Sequence, residues 1–261
     1  MMKLPDCVWS LPPAHLVLPR DEIHVWRASL DQPPACIAAL EQALSLDERS
    51  RAQRYRFARD RQHFIIRRGL LRQMLGDYLG IEPARLRFSP GPYGKPELAE
   101  MPGAYTPHFN VSHSHELALF AFARDREVGV DIEYVRPVVE AEQIAGRYFS
   151  AQERDALRDL PPDRMYEQFF IYWTHLEACL KASGAGLAGA ENLGLLSPEN
   201  TARSLYRPIY SMQPAPGYVA ALALQAKAAT ALPLTSVHVV YWWWIPAGER
   251  IEGNNETGKR E

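Results

Sequence analysis

Residues 108–135 have the sequence HFNVSHSHELALFAFARDREVGVDIEYV, and this stretch decides the fold class. The segments 108–112, 117–123 and 127–135 are short and rich in apolar, aromatic or β-branched residues, which is typical of β-strands. Residues 124–126 (Arg-Asp-Arg) interrupt the apolar pattern, and we expect them to form a hairpin turn between the second and third strands. The stretch therefore predicts consecutive strands with no helix between them.

Two long helical segments flank these strands. Apolar residues recur every seven positions from Phe57 to Tyr78, which predicts a helix over about 58–79 with Gly80 as its stop signal. Apolar residues at helical spacing predict a second long helix over about 164–182. Further elements are expected as a strand at 22–30, a helix at 36–46, a helix that starts at the Ser150–Glu153 capping box, and two or three strands within 203–245. Because strands and helices alternate unevenly, we predict an α+β fold rather than a doubly wound sheet.

Composition and charge narrow the class of protein. The chain has 261 residues, of which 47% are hydrophobic and 23% are charged, and this balance excludes a mostly disordered protein. Its formal net charge of −2 argues against a globally basic nucleic-acid binder. Three widely separated cysteines (7, 36 and 179) indicate neither a disulfide framework nor a zinc ribbon. No stretch approaches the ~20 apolar residues that span a membrane, so we expect a cytoplasmic protein with no membrane partner.

A pair of acidic residues lies on the third predicted strand. Asp131 and Glu133 are two positions apart, so a strand places both carboxylates on the same face. Two adjacent carboxylates repel each other unless a proton or a cation compensates, and Mg²⁺ or Ca²⁺ suits such oxygen ligands. A solvated strand face, or contacts with nearby arginines, explains the same pattern, so both interpretations stay open at this point.

The second long helix carries Glu177 and Lys181 at positions i and i+4, on the polar side of its apolar stripe. An ordinary surface ion pair gives the same spacing. The first long helix lies in a basic stretch, since residues 48–72 contain nine arginines and two acids. Arginine geometry suits phosphate binding, although a solvated face has the same composition.

Small polar groups follow the basic stretch. The histidines at 108, 113 and 115 lack the helical spacing of familiar zinc motifs. Ser112, His113 and Ser114, with Lys95 in the preceding Gly/Pro-rich loop, are able instead to donate hydrogen bonds to an anion.

Five motifs in order resemble the 4′-phosphopantetheinyl transferases of the Sfp type. They are GKP at 94–96, FNVSHS at 109–114, GVDIE at 129–133, YFSAQE at 148–153 and WTHLEACLKASGAGL at 173–187. The resemblance extends from about Leu46 to Leu187, and both the order and the spacing of the motifs agree with the family.

The resemblance implies a fold, a reaction and a partner. The family has two similar α+β halves related by a pseudo-twofold axis, which here predicts an N-terminal half (1–126), a C-terminal half that carries the metal ligands (127–247) and a disordered tail (248–261). Its members transfer the 4′-phosphopantetheine group of coenzyme A to a serine of an apo acyl or peptidyl carrier protein. The reaction releases 3′,5′-ADP and depends on Mg²⁺. Because both halves are present in one chain, we expect a monomer.

The resemblance also implies roles for individual residues. Asp131, Glu133 and Glu177 look like metal ligands, and Glu177 resembles the general base for the carrier serine. Lys181 matches the catalytic lysine near the coenzyme A phosphates. Further residues match the positions that bind coenzyme A, namely Arg51, Arg54, Lys95, Ser112 and His113.

One residue departs from the family pattern. Leu176 stands where the family usually has a lysine directly before the glutamate. The loss of that charge leaves open a non-catalytic module that binds coenzyme A or a carrier protein. A nucleic-acid binder that uses the basic helix is a further alternative, which the neutral net charge and the paired acids disfavour.

Overall fold

A computed structural model describes residues 7–91, 95–99, 105–186, 196–197, 200–201, 206–225 and 237–246. Its helices are α1 (Pro34–Gln42), α2 (Leu46–Gln53), α3 (Ala58–Leu79), α4 (Ala141–Tyr148), α5 (Ala151–Arg158) and α6 (Pro162–Ser183). Its strands are β1 (Glu22–Ser29), β2 (Phe88–Pro90), β3 (Pro96–Leu98), β4 (His108–Ser114), β5 (Leu117–Ala123), β6 (Val128–Tyr134), β7 (Leu196–Ser197), β8 (Asn200–Thr201), β9 (Tyr206–Met212), β10 (Tyr218–Gln225) and β11 (His238–Trp243). The mixed α+β class is confirmed, and the predicted tail (248–261) lies outside the described residues.

Two sheets form the centre of the molecule. The first sheet has the strand order β11-β1-β5-β4, and the second sheet has the order β6-β10-β9. Along β5, Ala118, Phe120 and Phe122 contact the cluster that includes α3, while Leu119 and Ala121 contact the second sheet. This alternation follows from the two-residue period of a strand. The layers are therefore α3, the first sheet, the second sheet and α6, which packs on β6 and β10.

The predicted hairpin at residues 124–126 is wrong. Strand β5 pairs with β1 and β4, whereas β6 pairs with β10 in the other sheet. Both faces of β5 are buried, so its second apolar face needs a partner layer. Stacking β6 face to face with the first sheet supplies that layer, and the chain crosses between the sheets at residues 124–127.

Local signals place most helix ends. The helix over 58–79 is confirmed, and Gly80 ends it with a left-handed φ of 65°. The capping box at Ser150 and Glu153 is confirmed at the start of α5. The helix expected over 36–46 is α1, which ends at Gln42, and a separate helix, α2, begins at Leu46 behind a capping box formed by Ser45 and Glu48.

The crossing between the sheets lies next to Glu127, where we predict the division of the chain into halves. Strand β11 returns from the later part of the chain and pairs in parallel with β1. This strand therefore belongs to the first sheet, although the division by sequence assigns it to the half 127–247. No helix among the described residues is long and apolar enough to cross a membrane.

Candidate active site

Strands β4 and β6 lie beside each other at the edges of the two sheets, where side chains rather than backbone pairs join them. Three alternate side chains of β4 accept hydrogen bonds from three alternate backbone N–H groups of β6. The pairs are Val130 N to Asn110 Oδ1 (2.9 Å), Ile132 N to Ser112 Oγ (3.4 Å) and Tyr134 N to Ser114 Oγ (3.0 Å). We call this row of contacts the β4–β6 seam, and it holds the strand that carries the paired carboxylates.

Asp131 is the most buried of the candidate carboxylates, with a side chain that is 5% exposed. Its Oδ1 accepts a hydrogen bond from Ser112 Oγ (2.8 Å) and pairs with Lys181 Nζ. Lys181 also donates to Ser112 Oγ (2.9 Å), so the hydroxyl bridges the lysine and the aspartate. Asp131 Oδ2 is buried and has no hydrogen-bond partner among the described residues. One carboxylate oxygen is therefore open to a cation.

Glu133 lies one strand repeat further along β6. Its Oε2 accepts a hydrogen bond from Ser114 Oγ (2.8 Å) and lies 3.7 Å from Arg136 Nη1. Burial, and then the charge of Asp131, raise the pKa of Glu133. The two carboxylates are thus close enough to repel each other, as their spacing in the sequence predicts.

Helix α6 brings Glu177 and Lys181 to this pair. The helix approaches β6 at Gly129, where an added Cβ would lie 2.0 Å from the carbonyl oxygen of Ala178. Only glycine allows this approach, because any side chain there would collide with the helix backbone. Burial, and then the charge of Asp131, raise the pKa of Glu177. Glu177 is therefore coupled electrostatically to Asp131, and its role as a third metal ligand stays a prediction.

The donor set fits a divalent cation only in part. In the described ranges, no three His, Cys, Asp or Glu side chains converge as a ready-made metal site. The three predicted ligands thus do not form a closed cage. Mg²⁺, however, is usually bound by one or two carboxylates together with waters and substrate phosphates. The open Oδ2 of Asp131 and the adjacent Glu133 fit that mode of binding.

A basic cleft opens beside these carboxylates. It has a volume of about 380 Å³ and is lined by Arg59, Asp60, His63, His113, Ser114, His115 and Arg136. Burial of part of the ring, and then the charges of Arg67, Lys181 and His63, lower the pKa of His113 to about 4. The imidazole of His113 is therefore neutral near pH 7, and its role in phosphate binding stays a prediction.

Sequence reasoning missed several residues of this cleft. Arg59 and His63 line the cleft and lie four residues apart along α3, and Arg67, four residues further on, shares their helix face. This four-residue spacing is the signal by which they could have been distinguished from the other arginines of the basic stretch. Ser114 was named from the sequence only as a donor to an anion, although its position two residues after Ser112 parallels that of Glu133 after Asp131.

The arginines of the basic stretch divide into two groups. Arg68 and Arg72 pair with Glu48, and Arg72 is almost fully buried, so these residues are structural. Burial is the main cause that lowers the pKa of Arg67, and the charge of the exposed Arg51 adds to it, so Arg51 lies near Arg67. Arg54 is exposed at the C-terminal end of α2.

Lys95 lies on the other side of the seam and is not free. Its Nζ donates to Glu127 Oε2 (3.0 Å) and to the Val128 carbonyl (3.4 Å). His108 Nδ1 lies 2.9 Å from Glu127 Oε1. Burial opposes ionisation, but hydrogen bonding from His108 and the charge of Lys95 lower the pKa of Glu127 to about 2. The structure therefore ties Lys95 to the start of β6.

Leu176 points away from the carboxylates and into the core. It is 2% exposed and belongs to a cluster with Cys179, Leu180, Ala221 and Ala223 between α6 and the second sheet. The residue that departs from the family pattern thus has a packing role, as its place in the apolar stripe predicts.

Comparisons with known proteins show which proteins the chain is similar to. Residues 127–228 match a model of the 4′-phosphopantetheinyl transferase superfamily, and residues 24–124 match a model of the N-terminal part of 4′-phosphopantetheinyl transferases. The chain is 41% identical over 205 residues to the 4′-phosphopantetheinyl transferase HetI of Nostoc sp., which covers 78% of this chain and 86% of HetI. It is 35% identical over 192 residues to a putative 4′-phosphopantetheinyl transferase of Synechocystis sp. (74% of this chain, 76% of the relative). It is 30% identical over 145 residues to Sfp of Bacillus subtilis (56% and 62%).

Proposed function

Since the chain belongs to the 4′-phosphopantetheinyl transferase superfamily, we propose that the carboxylates of β6 and α6 are the centre at which it transfers 4′-phosphopantetheine from coenzyme A to a serine of an apo carrier protein. The observation that carries this proposal is the buried Asp131, whose Oδ2 has no partner in the described part of the chain. It lies beside Lys181 and close to a cleft whose lining includes Arg59 and Arg136. A carboxylate in such surroundings is suited to a metal-assisted reaction of an anionic substrate.

The phosphates of coenzyme A are the groups that the basic cleft would bind. Arg59, His63, His113 and Arg136 line the cleft, and Arg51 extends the same positive surface along α2. Guanidinium groups bind phosphate oxygens through paired hydrogen bonds. In this arrangement Arg51, Arg54 and His113 bind the nucleotide end. Lys95 and Ser112 contribute indirectly, since their polar atoms already form hydrogen bonds with Glu127 and Asp131.

Asp131 and Glu133 would hold Mg²⁺, with Glu177 as a third ligand once the substrate is present. When bound, the cation would offset the negative charge that develops on the pyrophosphate. The fit rests on the unpartnered oxygen of Asp131 and on the mutual repulsion of the three carboxylates.

The transfer itself requires a base and a compensating cation. The carrier serine oxygen forms a bond to the β-phosphorus of coenzyme A, and the bond from that phosphorus to the bridging oxygen breaks. Glu177 accepts the serine proton, for which its raised pKa is suited. 3′,5′-ADP leaves with the electron pair of the broken bond, and Lys181 neutralises the charge on the departing oxygen.

The alternative of a non-catalytic binding module depended on Leu176. Because Leu176 is buried in the core, its place in the sequence is explained by packing rather than by a lost activity. The intact acidic residues and Lys181 favour the transferase.

Oligomeric state and compartment are also part of the proposal. We propose a cytoplasmic monomer whose halves divide near Glu127. In the described part of the chain, Cys7, Cys36 and Cys179 form no disulfide, which supports a reducing compartment. The adjacency of β4 and β6 within one chain supports a site that needs no second copy.

Mass spectrometry of a carrier protein tests the function. Purified apo acyl and apo peptidyl carrier proteins are incubated with the enzyme, coenzyme A and Mg²⁺, and we expect a mass increase of one phosphopantetheine group on the carrier serine. Glu177→Gln should abolish the increase, while the exposed Glu167→Gln on the same helix should not. The absence of a mass increase on both carriers with the wild-type enzyme would refute the proposal.

A further inference from the structure

Ser114 lines the basic cleft, and its hydroxyl also contacts a candidate metal ligand. Ser114 Oγ accepts a hydrogen bond from Tyr134 N (3.0 Å) and donates one to Glu133 Oε2 (2.8 Å). The backbone N–H occupies one side of the oxygen and so directs the hydroxyl proton towards the carboxylate. Ser114 is 9% exposed, so water reaches this contact poorly.

Glu133 has a second partner that competes for the same oxygen. Arg136 Nη1 lies 3.7 Å from Glu133 Oε2, on the side of the basic cleft. The Glu133 side chain is 24% exposed and has several rotatable bonds, so the backbone of β6 alone does not determine where its carboxylate points. Without the Ser114 hydroxyl, the carboxylate is free to rotate towards Arg136 and away from Asp131.

The seam repeats this arrangement at Asp131. Ser112 accepts from Ile132 N and donates to Asp131 Oδ1, two residues before Ser114 does the same for Glu133. Because both strands have a period of two residues, successive hydroxyls of β4 meet successive carboxylates of β6. Asn110 continues the seam at Val130 N but contacts no carboxylate.

We propose that Ser114 is a positioning residue that holds the Glu133 carboxylate beside Asp131 for divalent-cation binding. This inference rests on the proposed function, in which both carboxylates are metal ligands. Residues that orient metal ligands typically change metal affinity by about 10–100-fold when they are removed. Hydroxyl groups of the first sheet thereby determine where the carboxylates of the second sheet point.

The test compares two residues of nearly equal size at position 114. Ser114→Thr keeps the hydroxyl and Ser114→Val replaces it with a methyl group, and both side chains suit a strand. Binding of Mn²⁺ in the presence of coenzyme A is measured by electron paramagnetic resonance. We expect Ser114→Val to weaken Mn²⁺ binding by about tenfold or more and Ser114→Thr to remain within about twofold of the wild type.

Asn110→Ala is the matched control, because it removes a seam contact that touches no carboxylate. It should lower the melting temperature without changing the affinity for Mn²⁺. Equal Mn²⁺ affinities of Ser114→Val and Ser114→Thr would overturn the positioning role, and so would an equal loss in Asn110→Ala. A wild-type chain that binds coenzyme A but no Mn²⁺ would overturn this inference together with the proposed metal role. A wild-type chain that binds Mn²⁺ but modifies no carrier would refute the proposed function alone.

Discussion

Replacement of Gly129 by alanine should separate α6 from β6 and so disrupt the site. The added Cβ would lie 2.0 Å from the Ala178 carbonyl oxygen and 2.4 Å from the backbone nitrogen of Ala182. Ordinary contact begins at 3.4 Å, so the helix backbone has to move by about 1.4 Å. Neither neighbour is a flexible side chain, and the strain cannot be relieved by a change of rotamer.

The displacement has consequences for both activity and stability. Glu177 and Lys181 lie on the segment of α6 that contacts Gly129, so they move with the helix away from Asp131. A misplacement of about 1 Å costs on the order of 100-fold in rate. Overpacking of this kind costs about 1–3 kcal/mol of the free energy of unfolding. In a chain of this size, each kcal/mol lowers the melting temperature by about 2–4 °C.

The assay measures kcat by carrier modification and the melting temperature by circular dichroism. Gly146→Ala is the control, because a Cβ at that helical position meets no atom within 4 Å. It should leave kcat unchanged and raise stability slightly, since alanine is about 0.5–1 kcal/mol better than glycine within a helix. If Gly129→Ala retained the kcat and melting temperature of the wild type, the argument that close approach of α6 builds the site would be wrong.

Three further changes test other parts of the structure. Leu176→Lys should lower the melting temperature strongly, because it buries an ammonium group in an apolar cluster. The control Leu176→Met should cost less than about 1.5 kcal/mol of the free energy of unfolding. Tighter coenzyme A binding by a stable Leu176→Lys would contradict the packing role. His113→Ala should raise the KM for coenzyme A with little change in stability, since the residue is exposed at the cleft. An unchanged KM would show that His113 does not bind the phosphates. Glu127 has a pKa of about 2 in the folded protein and a reference value of 4.5, so the unfolded chain binds more protons and stability should fall as the pH drops from about 4.5 to 2. Thermal melts of Glu127→Gln across that range should show a weaker pH dependence than the wild type, and an unchanged dependence would exclude the contact with His108 and Lys95 as its source.

Elements that depend on local signals could be predicted from the sequence. Helix α3 follows from its apolar period and from Gly80, which adopts a left-handed conformation at the helix end. Helix α5 follows from the capping box at Ser150. These signals involve residues within about four positions of each other, so these helices begin and end where they do without contacts from distant parts of the chain.

The pairing of strands could not be predicted in this way. The apolar run of β5 and the β-branched run of β6 are equally compatible with a hairpin and with two stacked sheets. Their different partners depend on β1, β4 and β10, which are distant in the sequence. The helix expected over 36–46 was missed at its end for a different reason, because the apolar pattern obscured the local capping signal at Ser45.

The sequence by itself determined the family, the α+β class and the acidic and basic groups of the site, because order and spacing along the chain are enough to reveal them. Only the tertiary structure decided which hydroxyl holds which carboxylate. Ser112 and Ser114 lie on one sheet, while Asp131 and Glu133 lie on the other. Their register is determined by how two sheets and α6 pack at Gly129, and packing between distant segments leaves no periodic signal in the chain.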